Sequence, residues 1–117
     1  MMRKTIMAAV AAACATLSAP AHAEASANAF LQHISEGGTN GATFSVALNG
    51  YENGYGWSNA MLENSGRAML YCQPATVALT PEQLVEILRR YVTQNSRIGE
   101  EPAGLALLLA LMAAFPC

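Results

Sequence analysis

The chain has 117 residues, of which 53% are hydrophobic and only 12% are charged, and its formal net charge at pH 7 is −2. This length suits a single domain. An acidic chain without a basic stripe excludes nucleic acid as an expected partner.

The N-terminal region has the three parts of a secretory signal. Arg3 and Lys4 supply a basic start, residues 6–17 are mostly apolar, and residues 21–23 read AHA, a signal-peptidase site. A membrane anchor is the alternative, but a span needs about 20 apolar residues. We therefore expect residues 1–23 to be a cleaved signal peptide, which leaves residues 24–117 as the mature domain.

Cys14 offers a second interpretation of this region, because it follows three alanines and could mark a lipoprotein. Against this, it lies early in the chain, and no large aliphatic residue stands three positions before it. Lipidation at Cys14 stays open as the less favoured alternative.

The first two mature segments show helical periodicity. In EASANAFLQHISEGG, Phe30, Leu31 and Ile34 share one face, and two glycines supply the stop. In residues 39–66 the aromatic and aliphatic residues recur at steps of three, four and seven, which again predicts a helix. The members of that face are Phe44, Leu48, Tyr51, Tyr55 and Leu62. A strand over TFSVAL is the local alternative.

Three glycines interrupt the second segment, at Gly50, Gly54 and Gly56. Each costs about 1 kcal/mol relative to alanine inside a helix. The favoured interpretation is the close approach of another helix, and the alternative is a groove for a partner or a peptide.

The third segment begins with TPEQ, in which Thr80 can cap, Pro81 suits the first helical position and Gln83 completes a capping box. An apolar stripe follows, and Glu86 and Arg90 stand four apart, as a stabilising pair would. The stripe consists of Leu84, Ile87, Leu88, Tyr91 and Val92.

The fourth segment runs from about residues 101–102 to Ala114, with acids at its start that suit the helix dipole. It has almost no polar face, which predicts a central helix covered by the others. A membrane span is the alternative, but the segment is too short for a full crossing.

Two cysteines remain in the mature chain, Cys72 and Cys117. An even pair in a short exported chain predicts one disulfide. Metal binding would need further ligands, and His33 is the only mature histidine. We therefore expect a disulfide and no metal.

Catalytic motifs are missing from the sequence. It has no aspartate, no lysine after Lys4, no GxSxG elbow and no GxxxxGK phosphate loop. Tyr51, Tyr55 and Trp57 could form a sugar-binding platform, although core packing is the commoner use of aromatic residues. These absences favour a binding protein with no catalytic residues and no cofactor.

The C-terminal half carries a more specific pattern. Cys72-Gln73-Pro74 comes first, then the capped helix that begins at Thr80, the pair Tyr91-Val92, and the ending Ala-Phe-Pro-Cys. Upstream, ALNGYENGYGWSNAML contains a Y-x-x-G helix. In these features the chain resembles the Rap/Tai family of immunity proteins associated with type VI secretion, although it lacks the additional N-terminal cysteine pair of many relatives.

The resemblance implies an all-α fold, a small bundle of four to five helices with one disulfide. It also implies a periplasmic protein that binds and occludes a secreted cell-wall amidase, with no catalytic activity, no stable insertion in a membrane and a possible homodimer. Two alternatives stay open: an acid-stress periplasmic chaperone of the HdeA type, and an exported helical protein with another binding role.

The polar connection TQNSRIGEE is the predicted partner-binding segment, because it joins two apolar helices and must be exposed. Its charged members are Arg97, Glu100 and Glu101. An ordinary solvated loop is the alternative interpretation.

Overall fold

The computed structural model describes residues 24–117. The predicted signal peptide and Cys14 lie outside this range. Residues 24–117 form an all-α fold, as expected. The helices are α1 (Ala27–Glu36), α2 (Gly38–Asn64), α3 (Pro81–Gln94) and α4 (Ala103–Ala114), with a 3-10 helix at Ser96–Glu100 between the last two.

The turn between α1 and α2 depends on backbone freedom at two glycines. Gly37 and Gly38 have φ of 76° and 67°, values that side-chain-bearing residues rarely adopt. The helices then pack closely, and the ring centroids of Phe30 and Phe44 lie 4.7 Å apart in an edge-to-face arrangement. The predicted stop is confirmed, and the strand alternative for TFSVAL is wrong because those residues lie inside α2.

Helix α3 begins as its sequence predicts. The Thr80 hydroxyl accepts from the Gln83 amide, and the Gln83 side chain accepts from the Thr80 amide. The predicted pairing of Glu86 with Arg90 is wrong. Glu86 pairs instead with Arg89, three residues away, at 3.3 Å, a spacing that also places side chains side by side on a helix.

Helix α4 is the centre of the bundle, as expected. Its buried residues are Ala103, Gly104, Ala106, Leu107, Ala110 and Leu111. The largest fully buried side chains come from three helices, which shows that one core unites them: Leu48, Leu84, Leu88, Leu107 and Leu111.

Both ends of α4 are held by residues distant in sequence. At its start, the Ala103 amide donates to the Ala25 carbonyl, and the Gly104 amide donates to the Glu24 carboxylate. Glu24 therefore adds an acid at this N-terminus, besides Glu101, which stands two residues before the helix. At its end, Cys117 forms the predicted disulfide with Cys72.

None of the helices that residues 24–117 form combines the length and the apolar character that a membrane crossing needs. Within the same residues, no cluster of three or more histidine, cysteine, aspartate or glutamate side chains could hold a metal ion.

Candidate partner-binding site

The outward face of α2 is apolar and uncharged. We define it by Val46, Gly50, Gly54, Trp57 and Met61, which recur at steps of three and four and so share one side of the helix. Its three large side chains are 65%, 76% and 68% exposed. Exposed apolar side chains grouped in this way mark an interaction surface more often than single ones do.

The glycines of α2 do not have the packing role that the sequence suggested. A Cβ atom at Gly50, Gly54 or Gly56 would find nothing within 4 Å. Within residues 24–117, therefore, no other helix approaches them, and the favoured interpretation is wrong. Gly56 instead lines a groove, which was the alternative.

This groove, the α2 groove, lies between α2 and the irregular segment of residues 69–77, and has a volume of about 320 Å³. Glu52, Gly56 and Glu63 line it from the helix side. Its remaining lining residues are Asn59, Ala60, Met69, Tyr71, Gln73, Pro74, Ala75 and Val77. The size falls at the lower end of the range for ligand pockets.

Residues 69–77 lack helix and strand but are firmly anchored. The buried Asn59 side chain donates to the Tyr71 carbonyl at 3.0 Å and accepts from the Leu70 amide at 2.7 Å. The disulfide then fixes Cys72, whose amide also donates to the Phe115 carbonyl at 2.8 Å. The wall of the groove is therefore preformed.

Two groups in the groove are electrostatically unusual. Burial raises the pKa of the Glu52 carboxyl above its ordinary value. Burial, followed by the negative charge of Glu52, raises the pKa of Tyr71 to about 12. The Tyr71 hydroxyl is buried, and it has no hydrogen-bond partner among residues 24–117.

The aromatic platform, which was the less favoured alternative, does not form. Tyr51 and Tyr55 pack against the core, and the Tyr55 hydroxyl donates to the Gly104 carbonyl. Trp57 belongs to the outward face of α2, on the other side of the helix. The core interpretation is confirmed for the two tyrosines, whereas Trp57 is exposed.

The predicted segment around Arg97 is ordered more tightly than a loop. Arg97 and Glu100 belong to the 3-10 helix and Glu101 follows it, and all three side chains are exposed. Asn28 donates to the Glu100 carboxylate at 3.3 Å. The 3-10 helix packs against α1, α3 and α4 and has no contact with α2, so these residues are separate from the outward face of α2.

Sequence reasoning missed Glu52, Asn59 and Tyr71. The only signal in the sequence was the spacing of Glu52, Gly56 and Glu63 on one side of α2. Nothing local indicated that residues 69–77 would fold back against that side.

Comparison with known proteins gives one match. A family model described as Rap1a immunity proteins matches residues 7–117, which is nearly the whole chain. No curated protein matches, and no solved structure matches.

Proposed function

The chain belongs to the family of Rap1a immunity proteins, and on that premise we propose that it binds and occludes a cell-wall-degrading, amidase-type toxin delivered by another cell. Membership in the family supports an immunity role and a protein toxin as partner. The occluding protein needs no catalytic groups of its own, because blocking access to the toxin's active site is sufficient.

We place this action in the periplasm. The basic start and the AHA site support export with cleavage after Ala23. The Cys72–Cys117 disulfide also supports it, because such bonds persist in oxidising compartments. On this proposal the mature protein begins at Glu24, whose carboxylate stabilises the start of α4.

The observation that carries the binding proposal is the outward face of α2. Trp57 and Met61 lie one turn apart and are largely exposed, and the only charged residues of the 27-residue helix, Glu52 and Glu63, line the adjacent groove. Exposed tryptophan is typical of the residues that dominate binding energy at protein interfaces. We propose this face as the main contact with the toxin.

The charged segment at Arg97, Glu100 and Glu101 is proposed as a second contact, apart from the outward face of α2. Exposed charges at an interface chiefly affect the rate of association and its dependence on salt. Charge reversal at all three should therefore slow association several-fold, and an unchanged rate would remove the segment from the interface. Pairing of two copies is also proposed, and light scattering of the purified protein measures it.

The decisive experiment expresses the tagged protein with its own signal in its native host, with type VI secretion active. One partner recovered in near-equal amount, with cell-wall amidase activity that the protein suppresses, is the expected result. Recovery of many proteins only at acid pH, together with protection of unfolded clients, would favour a chaperone and contradict the proposal.

A Trp57→Asp variant then tests the surface. Burying an unpaired charge at an interface should weaken toxin binding by at least a hundredfold. Gln32→Asp adds the same charge on the exposed side of α1, away from the outward face of α2, and it should leave the affinity within about threefold. Equal affinities for the two variants would contradict the role of the outward face.

A further inference from the structure

We propose that the α2 groove receives an arginine side chain of the partner protein, with its guanidinium group held by Glu52 and by the Tyr71 hydroxyl. The identity of the partner rests on the proposed function. The chemistry of the groove does not, because it follows from the lining residues alone.

The charge of the groove favours a cation. Two glutamates line the groove, Glu52 and Glu63, and its lining includes no lysine, arginine or histidine. They stand eleven residues apart on one helix, which is about 16 Å along its axis. A single cation therefore contacts one of them, and the other adds negative charge elsewhere in the groove, which favours a positively charged ligand.

The unpartnered Tyr71 hydroxyl favours a ligand that donates hydrogen bonds. Tyr71 is 2% exposed, lines the groove, and has a hydroxyl without a hydrogen-bond partner among the described residues. Buried polar groups in folded proteins are almost always hydrogen-bonded. This oxygen is closed to solvent in the described residues. A phenolic oxygen can accept from a guanidinium N–H, so an arginine that reaches it by a small displacement of the groove wall would satisfy this group.

The shape of the groove suits a long, narrow side chain. Gly56 lines the groove from α2, and a Cβ there would meet nothing within 4 Å, so the helix leaves open space where most residues would fill it. The neighbouring lining on α2 is also small, at Ala60. An arginine stem can lie along these small residues while its charged end reaches the carboxylate.

Arginine suits this position better than lysine. Burial raises the pKa of Glu52, so this carboxylate is partly removed from water. A guanidinium group is more weakly hydrated than an ammonium group, and its several donors can contact a carboxylate and a hydroxyl together. The groove should therefore select arginine over lysine by its number of hydrogen-bond donors, and over neutral side chains by its charge.

The test uses the oxidised, exported protein and the peptide acetyl-Gly-Arg-Gly-amide. Nuclear magnetic resonance follows the backbone amides of Gly56 and Tyr71 at low salt. We expect saturable shifts at these amides. The same peptide with citrulline, a neutral analogue of arginine, should give none at equal concentration. Shifts that are equal for both peptides, or that lie outside the groove, would overturn the proposal.

The chain provides a matched control for the site. Gly54 and Gly56 both lie in α2 with open space where a Cβ would stand, but only Gly56 lines the groove. Gly56→Leu should weaken peptide binding at least tenfold, whereas Gly54→Leu should change it less than twofold. Equal effects of the two variants would contradict the assignment.

Two further variants test the Glu52 contact and the Tyr71 contact separately. Glu52→Gln should weaken peptide binding about tenfold, since a charged hydrogen bond is roughly twice as strong as a neutral one. Tyr71→Phe should weaken it about threefold. Unchanged affinity in Glu52→Gln would overturn the proposed contact.

Failure of this proposal is distinguishable from failure of the proposed function. The peptide experiment contains no toxin, and the protection experiment contains no peptide. Arginine binding without protection would contradict the immunity role alone. Protection that survives Gly56→Leu, with no arginine binding, would contradict the groove proposal alone.

Discussion

Asn59 is the residue that fastens the irregular segment of the chain to α2. Both ends of its amide are used: it donates to the Tyr71 carbonyl and accepts from the Leu70 amide, and its side chain is 8% exposed. Removal of such a group leaves buried backbone atoms unpaired, which is costlier than the loss of the hydrogen bonds themselves.

We therefore expect Asn59→Ala to lower the free energy of unfolding by about 2–3 kcal/mol, measured by urea denaturation. Asn53→Ala is the control, because Asn53 is exposed in the same helix. A loss of less than about 0.5 kcal/mol at Asn59, within the usual range for surface changes, would show that the disulfide alone holds the segment.

Two tyrosines predict how stability responds to alkaline pH. Burial raises the pKa of Tyr55 and of Tyr71 from 10.0 to about 12. The folded state therefore holds these protons more tightly than the unfolded state does. The stability they contribute is fully present below about pH 10 and is lost as pH rises towards about 12.

The prediction is checked by following tyrosinate absorbance and unfolding together over this range. Tyr55 and Tyr71 should ionise last of the tyrosines, and the unfolding midpoint should fall as they do. Tyr71→Phe should remove one late ionisation. It should also be neutral or mildly stabilising at neutral pH, since it deletes a buried hydroxyl that has no partner among residues 24–117. Ionisation of all tyrosines near their ordinary pKa would contradict the burial of Tyr55 and Tyr71.

At the scale of the element, α2 contains glycines that make the helix less stable than alanine would at the same positions. Gly50 and Gly54 lie in its interior, with open space where a Cβ would stand. Gly50→Ala and Gly54→Ala should each raise the free energy of unfolding by about 1 kcal/mol. Denaturant midpoints measure the change.

Gly104 in α4 is the matched contrast. A Cβ there would lie 2.8 Å from the Glu24 carboxylate oxygen and 3.1 Å from the Tyr55 hydroxyl. The Glu24 carboxylate would have to move and would lose its hydrogen bond from the Gly104 amide. Gly104→Ala should therefore destabilise the protein, although it too replaces a helical glycine. Destabilisation by Gly50→Ala as well would mean that another surface covers α2, as in a dimer.

The elements differ in how far their sequence predicted them. Helix α3 was predicted closely, because the contacts that start it join Thr80 and Gln83, only three residues apart. The disulfide was predicted from the even number of cysteines in residues 24–117. The anchoring of Glu24 at Gly104 spans 80 residues, and no local pattern reports a contact of that kind.

The candidate site was the least predictable part, for the same reason. The glycines of α2 were evident in the sequence, but their role depended on whether another element of the fold packs against them. The groove forms where the hydrogen bonds of Asn59 hold residues 70 and 71 against the helix. The periodicity of residues along α2 does not predict that residues 70 and 71 pack back against the helix.

At the scale of the whole molecule, the disulfide joins the groove to the core. It links Cys72 to Cys117 across a sequence separation of 45 residues. A closed loop of this length restricts the unfolded chain and contributes about 4 kcal/mol on the chain-entropy estimate. A domain of this size has only about 5–15 kcal/mol of stability in total.

Replacing both cysteines with serine should therefore lower the melting temperature by at least about 10 °C, at the roughly 4–8 °C per kcal/mol typical of domains of this size. Calorimetry measures the shift. Treatment with a reductant should lower the native protein to the same temperature and leave the serine variant unchanged. A native protein insensitive to reductant would show that the bond contributes little.

Helix α4 is clamped at both of its ends, by Glu24 and Ala25 at the first and by the disulfide at the second. Chain termini are ordinarily the places where proteolysis begins. Here both ends of residues 24–117 are bonded to the same central helix, so neither end can unfold without disturbing the core. On the proposed cleavage after Ala23, we expect digestion of the mature protein to wait for global unfolding.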